Sequence, residues 1–196
     1  MVIFNYETDF QLENEEMFEE WIDAIIESEG KEPGEINYIF CDDEYLHNIN
    51  MQYLDHDTLT DIISFDYTIG DLISGDIFIS IERVKDNAKD YEVSFDNELL
   101  RVISHGILHY CGYKDKNEND ALIMRQKEQE KIKEIRELES NLTSSQMGYD
   151  QLLEDYKEYQ LNSNLDFDKI SNQLETEKTK YEMLYILSTK LEDEAK

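Results

Sequence analysis

The sequence predicts an α+β fold, a small mixed β-sheet with helices packed on it, followed by a coiled-coil or helical-hairpin tail. Three observations predict it. Short apolar runs of strand character cluster in the first eighty or so residues. Apolar residues at helical spacing follow them, and beyond about residue 117 the chain turns into charged, heptad-patterned helix. With 196 residues, the chain has room for one ordinary domain, 1–139, and an extension, 140–196.

Residues 2–6 (VIFNY) open the chain as a strand. With no basic stretch before them, they do not read as an export signal. Residues 13–29 place Met17, Trp21, Ile22, Ile25 and Ile26 on one helical face, and Gly30, Pro33 and Gly34 mark a turn. Residues 36–41 (INYIFC) form a second strand. Asp42, Asp43 and Glu44 then open a helix with acids at its positive end, and Tyr45, Leu46, Ile49 and Tyr53 are expected on its inner face. Residues 61–67 and 75–81 read as two further strands joined through 68–74. Helical spacing returns from 82 to about 91.

Ser94 or Asp96 can cap the next helix, whose apolar face holds Leu99, Leu100, Val102, Ile103, Ile107 and Leu108. Gly112 ends that helix as a C-cap glycine would. Residues 120–138 form a charged helix. From Ile135 the positions 135, 138, 142, 145, 149, 152, 156 and 159 keep a heptad rhythm. It resumes out of phase after Asn162 through Phe167, Ile170, Leu174, Tyr181, Leu184 and Leu191. A coiled coil, or a hairpin turning near 162–166, is expected, its seam weakened by Ser145, Glu177 and Ser188.

The formal net charge is −29. Up to residue 140 there are 12 basic and 35 acidic residues, and afterwards 6 and 12. Such acidity repels polyanions at long range and counts against casual nucleic-acid binding. No apolar run approaches a membrane span. Cys41 and Cys111 fit no disulfide framework, so a cytoplasmic protein with reduced thiols is expected.

The chemically informative stretch is HGILHYCGYKD, residues 105–115. His105 and His109, four apart on a helix, share a face. A glycine three residues later lets the chain reverse and bring Asp115 back toward the two imidazoles. Two histidines, one carboxylate and an open fourth position make up the donor set of a catalytic zinc, whose bound water would be the nucleophile. The spacing of 105, 109, 112 and 115 is also that of the metzincin motif HExxHxxGxxH. The glutamate that acts as base there is Gly106 here, so a peptidase reading lacks its proton acceptor.

The glycine variant resembles the YbeY family of metal-dependent endoribonucleases, whose pattern HGxLHLxGYDH stands here as HGILHYCGYKD. Residues 60–65 (TDIISF) resemble the family's TDVLSF, residues 75–77 its GDI, and Asn50 with Tyr53 its LNxxY. The resemblance covers about residues 1–138. It implies a small sheet with helices over one face and the metal in a cleft. It also implies a zinc-dependent cytoplasmic hydrolase of single-stranded RNA, one ion per chain, working in small-subunit ribosomal RNA maturation and ribosome quality control. Two departures stand out. Asp115 replaces a frequent histidine, which can soften metal preference toward manganese or nickel. Leu54 stands where the family tends to have arginine, and His56, two residues on, is a weak substitute.

Arg101, Lys114, Lys116, Arg125 and Lys127 form the local cationic patch expected to meet RNA. Asp61 and Asp66 are candidates for orienting a ligand imidazole, with turn chemistry and solvent exposure as the simpler readings. Ser64 reads as a strand residue, His47 as a surface histidine, Cys111 as a buried small side chain and Met124 as a helix core contact. A different class remains open: a non-catalytic, ribosome-associated or scaffold protein with a structural metal and a partner-binding tail. A metzincin-like peptidase ranks third.

Overall fold

A computed structural model of the chain describes residues 1–162 and 167–188. The elements run β1 (Val2–Tyr6), α1 (Glu15–Ser28), β2 (Glu32–Cys41), α2 (Asp43–Ile49), β3 (Ile62–Asp66), β4 (Leu72–Ser80), α3 (Ile81–Asp90), α4 (Phe95–Tyr110), α5 (Glu118–Asn162) and α6 (Phe167–Ser188). A single π-helical turn, Asn50–Leu54, prolongs α2. The sheet order is β1-β2-β4-β3, with β1–β2 and β2–β4 parallel and β3 antiparallel at the edge. It is the small mixed sheet of an α+β fold.

Strand alternation sorts the side chains onto two faces. Ile36, Tyr38, Ile77 and Ile79 point to one face and have no exposed surface. The two long amphipathic helices of this part, α1 and α4, cover that face with Ile22, Ile25, Ile26, Ile103 and Ile107, each at most 1% exposed. The other face is only partly covered: Leu46 and Ile49 of α2 close over Cys41, Ile63, Phe65 and Phe78. Helices therefore lie on both faces, where one was expected. Tyr45 and Tyr53, expected to face inward, are 39% and 62% exposed, with their rings against Phe78 and Phe65 at the margin of this smaller core.

The strands extend further than their apolar runs. β2 begins at Glu32 and carries Pro33 and Gly34, expected in a turn, inside the strand at a register shift before Ile36. A bulge leaves proline's missing N–H without consequence. β4 begins at Leu72 rather than 75, because the β3–β4 hairpin continues its ladder through Tyr67 and Ser74 to a turn at Gly70. On α1, Phe18 is buried and Met17 only half-buried. Helix starts follow the capping side chains: Asp42 accepts from the Tyr45 amide, Ser80 from Arg83, and Ser94, not Asp96, from Asn97.

Two compact units divide the chain, the first running to Lys133 and the second starting at Glu134. The second contains the remainder of α5 together with α6, in contact through the rings of Tyr149 and Tyr181, 6.3 Å apart. Residues 138, 142, 145, 149, 152, 156 and 159, the heptad positions, are all half-buried, as are 170, 174, 181 and 184. The Ser145 hydroxyl and the Tyr159 phenol sit in this seam without a hydrogen-bond partner among the described residues. The turn expected near 162–166 falls on residues outside the described ones apart from Asn162, as do Leu191 and the side chains of Leu54, Phe167 and Ser188.

Candidate metal centre

Helix α4 is fixed to the sheet from both sides of its histidines. Tyr38 on β2 donates its hydroxyl to the Ile103 carbonyl at 3.0 Å, deep in the core. Tyr110, next to His109, lays its ring over Gly75, where an added Cβ would sit 2.7 Å from the ring. Its hydroxyl lies 2.9 Å from both the Phe65 and Asp76 carbonyls. Burial, followed by the charges of Asp66 and Asp76, raises the Tyr110 phenol well above its ordinary range, so it stays a donor. Gly106 faces the sheet as well. A Cβ there would press on Ile62 and Ile77 at 3.0–3.1 Å.

Past Tyr110 the helix closes with Gly112 at φ +103° and a bond from the Tyr113 amide to the Leu108 carbonyl. Such a left-handed C-cap suits glycine and reverses the chain. Asp115 returns as a result. The Nε2 atoms of His105 and His109 are 3.0 Å apart, and Asp115 Oδ2 lies 3.7 and 3.6 Å from them. Among the described residues these three make the one group of histidine, cysteine and carboxyl side chains able to share an ion.

Hydrogen bonding dictates which imidazole atoms are free. His109 Nδ1 lies 3.0 Å from the Tyr113 carbonyl. A carbonyl only accepts, so Nδ1 carries a hydrogen, and in the neutral ring Nε2 then carries the lone pair. His105 Nδ1 lies 2.6 Å from Glu128 Oε1, an acceptor when ionised, which assigns the same tautomer. Two lone pairs and a carboxylate then aim at one point, an arrangement that repels itself unless a cation sits between them. An ion bonded to two imidazoles at about 2.1 Å in tetrahedral geometry holds the nitrogens roughly 3.4 Å apart, so the rings need to part by only a few tenths of an ångström. The donor set fits a zinc-type ion.

The structure distributes the expected cations unequally. Arg101 does not stand free at the cleft. Its guanidinium lies against Glu98 at 2.7 Å, Asp61 at 3.0 Å and Glu128 at 3.8 Å, and these carboxylates hold its pKa above the ordinary arginine range despite burial. Lys127 donates to Glu29 at 2.9 Å and lies over the Tyr113 ring. Lys114, Lys116 and Arg125 are exposed, with no ion-pair partner among the described residues.

Asp61 reaches Arg101 and Asn87 rather than an imidazole, and Asp66 accepts the Thr68 amide in a turn. His56 is exposed and outside the converging group, Ser64 is exposed on the edge strand, and His47 pairs with Asp57 at 2.9 Å. Cys111 is half-buried, with burial, then the charge of Glu29, pushing its thiol up to about 12, and it lies outside the converging group. Met124 is a buried core contact, 1% exposed. Glu128 was not foreseen. Its signal was a charged residue on the stripe Met124, Glu128, Lys131, which the structure buries to 4% exposure or less.

Cavity size does not identify this centre. An open cavity of about 550 Å³, rimmed by Tyr45, Tyr53, Tyr67 and Asp76, lies on the opposite sheet face, and a depression of about 220 Å³ lies beside Gly112, Tyr113 and Lys114. Neither is lined by His105, His109 or Asp115. No helix among the described residues is long and apolar enough to cross a membrane.

A family model described as Endoribonuclease YbeY matches residues 3–136. A protein described as Endoribonuclease YbeY from Flavobacterium johnsoniae is 70% identical over 132 residues, which cover 67% of this chain and 95% of that protein. One of the same description from Parabacteroides distasonis is 47% identical over 130 residues, covering 65% and 92%. Among solved structures, the solution structure of TM1509 from Thermotoga maritima matches with a TM-score of 0.51 and 26% identity, over 72% of this chain and 93% of that one.

Proposed function

This chain is a member of the YbeY endoribonuclease family, and from that premise we propose that it is a zinc-dependent endoribonuclease cutting single-stranded RNA. The proposal places it in the cytoplasm, in ribosomal RNA maturation and ribosome quality control, with the small ribosomal subunit as partner. The single observation carrying the metal dependence is the convergence of His105 Nε2, His109 Nε2 and the Asp115 carboxylate on one point. His105, His109 and Asp115 would hold the zinc, which would supply Lewis-acid polarisation of a phosphoryl group and activation of water.

The chain's own residues set the rest. The Tyr113 carbonyl keeps the hydrogen of His109 on Nδ1, leaving Nε2 a donor to the ion. Lys114, Lys116 and Arg125, lacking partners among the described residues, are the cations free to meet phosphates near the centre. With a net charge of −29, counterion release contributes little elsewhere on the surface, so RNA binding rests on this local patch and the ion. Asp115 in place of a third histidine leaves manganese or nickel as workable alternatives. His56 and Asp61 are the weak candidates for proton transfer; Asp61 is the less suited, being engaged by Arg101. A catalytic glutamate in the metzincin position is absent, because that position is Gly106 packed on the sheet.

Metal analysis of gently purified protein, paired with cleavage of a single-stranded RNA, tests the reading. About one ion per chain and cleavage are expected, with both lost in His109→Ala. A chain without metal, or a variant that cleaves undiminished, overturns it. The second reading, a non-catalytic ribosome-bound scaffold, draws on Leu54 in place of arginine and on the helical extension. In that case the intact protein binds metal and ribosomes yet leaves RNA uncut, and the tail engages its partner as a coiled coil.

A further inference from the structure

We propose that Glu128 is a positioning residue of the metal centre: it fixes the tautomer and ring orientation of His105, with Arg101 as its counter-charge. The inference rests on the metal reading above and adds a role on a different element, since Glu128 belongs to α5 while the three donor residues lie on α4 and the bend after it.

The geometry is specific. Glu128 is 4% exposed, and its Oε1 lies 2.6 Å from His105 Nδ1, on the far side of the ring from the converging Nε2 atoms. A carboxylate taken out of water is costly unless hydrogen-bonded and balanced by charge. The balance comes from Arg101, 3.8 Å away, which is itself held by both oxygens of the buried Glu98 and by Asp61. Asn87 donates to that same Asp61, so the network is anchored on α3, α4 and the start of β3 as well as on α5.

Three carboxyl groups thus surround one guanidinium. That excess of acid is what a guanidinium free to bind phosphate would not have, and it assigns Arg101 to the protein rather than to RNA. The two imidazoles are held by different means. His109 takes its orientation from a neutral backbone carbonyl in its own helix cap, and His105 from a charged side chain delivered by another helix. A carboxylate hydrogen-bonded to a ligand histidine raises its basicity toward the metal, and loss of such a partner typically weakens metal binding 10- to 100-fold.

The two histidines provide their own control. In the metal-free protein, imidazole ¹⁵N chemical shifts report the tautomer of each ring, and zinc affinity is measured by competition with a chelator. Glu128→Gln keeps the shape but offers a donor as readily as an acceptor. His105 is expected to populate the Nε2–H form while His109 stays Nδ1–H, and zinc affinity to fall 10- to 100-fold. Glu128→Ala gives the same separation with a loss at the upper end of that range, and its amide spectrum reports folding.

A fall in affinity with both rings changed alike marks a merely structural role and overturns the proposal. So does an unchanged His105 tautomer in Glu128→Gln. If the parent protein binds no zinc, the metal reading fails by itself. Glu128 is then judged on the tautomers alone, where a shift confined to His105 upholds its positioning role and no shift removes it.

Discussion

In the first unit Ile22, Ile26, Tyr38, Ile77 and Ile103 expose none of their surface. In the second, the seam residues Leu142, Tyr149, Leu152 and Tyr159 are each half-buried, and two buried hydroxyls there find no hydrogen-bond partner among the described residues. The difference teaches what each part can do. Donor atoms can be held within tenths of an ångström only by a scaffold whose side chains interlock, as α4 does with β2, β3 and β4 through Tyr38, Tyr110 and Gly106. A seam of half-buried tyrosines and leucines gives association without such definition, and tolerates changes that the first unit does not.

The sharpest test sets His109→Ala against removal of the tail. The substitution is expected to abolish zinc retention and to lower RNA cleavage at least 100-fold, roughly 2.7 kcal/mol of transition-state stabilisation. A chain ending at Leu138 is expected to keep both, measured by metal analysis and the same RNA assay. Loss of both on truncation would break the division of labour. Core truncation comes next: Ile103→Ala should destabilise the first unit by about 2–5 kcal/mol in denaturant unfolding, whereas Leu152→Ala in the half-buried seam should cost less than about 1 kcal/mol. Equal effects would mean that the seam is as specifically packed as the sheet.

Tyr110→Phe is smaller and more informative. Losing the hydroxyl shared by the Phe65 and Asp76 carbonyls should cost about 1–2 kcal/mol and loosen zinc binding, because the anchored residue adjoins His109. Unchanged zinc affinity would separate anchoring of the helix from definition of the site.

The smallest effect has the opposite sign. Burial raises the Asp23 carboxyl on α1 from its ordinary 3.8 to about 6, with the N-terminal ammonium opposing and Glu19 and Glu27 adding to the rise. The native state then holds a proton that the unfolded chain releases. The associated stability is present below about pH 4 and lost as pH rises through about 6. Asp23→Asn should therefore stabilise the protein at pH 7. The gain should be about 1 kcal/mol, discounted because the group is partly exposed, and the slope of stability between about pH 4 and 6 should flatten. A destabilised variant would show that this carboxylate has a partner the folded geometry does not reveal.

Much of this fold was legible in the sequence. Period-two apolar runs marked the strand interiors, and the period of α1 and α4 marked their buried faces, because burial leaves its pattern on every turn. Strand ends were not legible: Pro33 and Gly34 carry turn chemistry, and only pairing with a neighbour makes them strand. Tyr45 of α2 and Tyr53 of the turn that prolongs it misled for a related reason, since an aromatic ring can lie along the rim of a sheet face and stay largely wet. At the site, His105, His109, Gly112 and Asp115 are local in sequence, so their spacing could be read directly. Glu128 meets His105 across 23 residues of chain and Arg101 meets Asp61 across 40, and nothing short-range distinguishes these charges from the many others. The partners of a charged side chain are decided by tertiary packing.

Gly106 sets a limit on redesign. Its Cα faces Ile62 and Ile77 so closely that even one added carbon would crowd them, before any of a glutamate's remaining chain is placed. A protease base grafted at this position would start out aimed at Ile62 and Ile77 of the sheet. The ligand spacing is shared with the protease motif, but at this position two isoleucines occupy the space into which a side chain would grow.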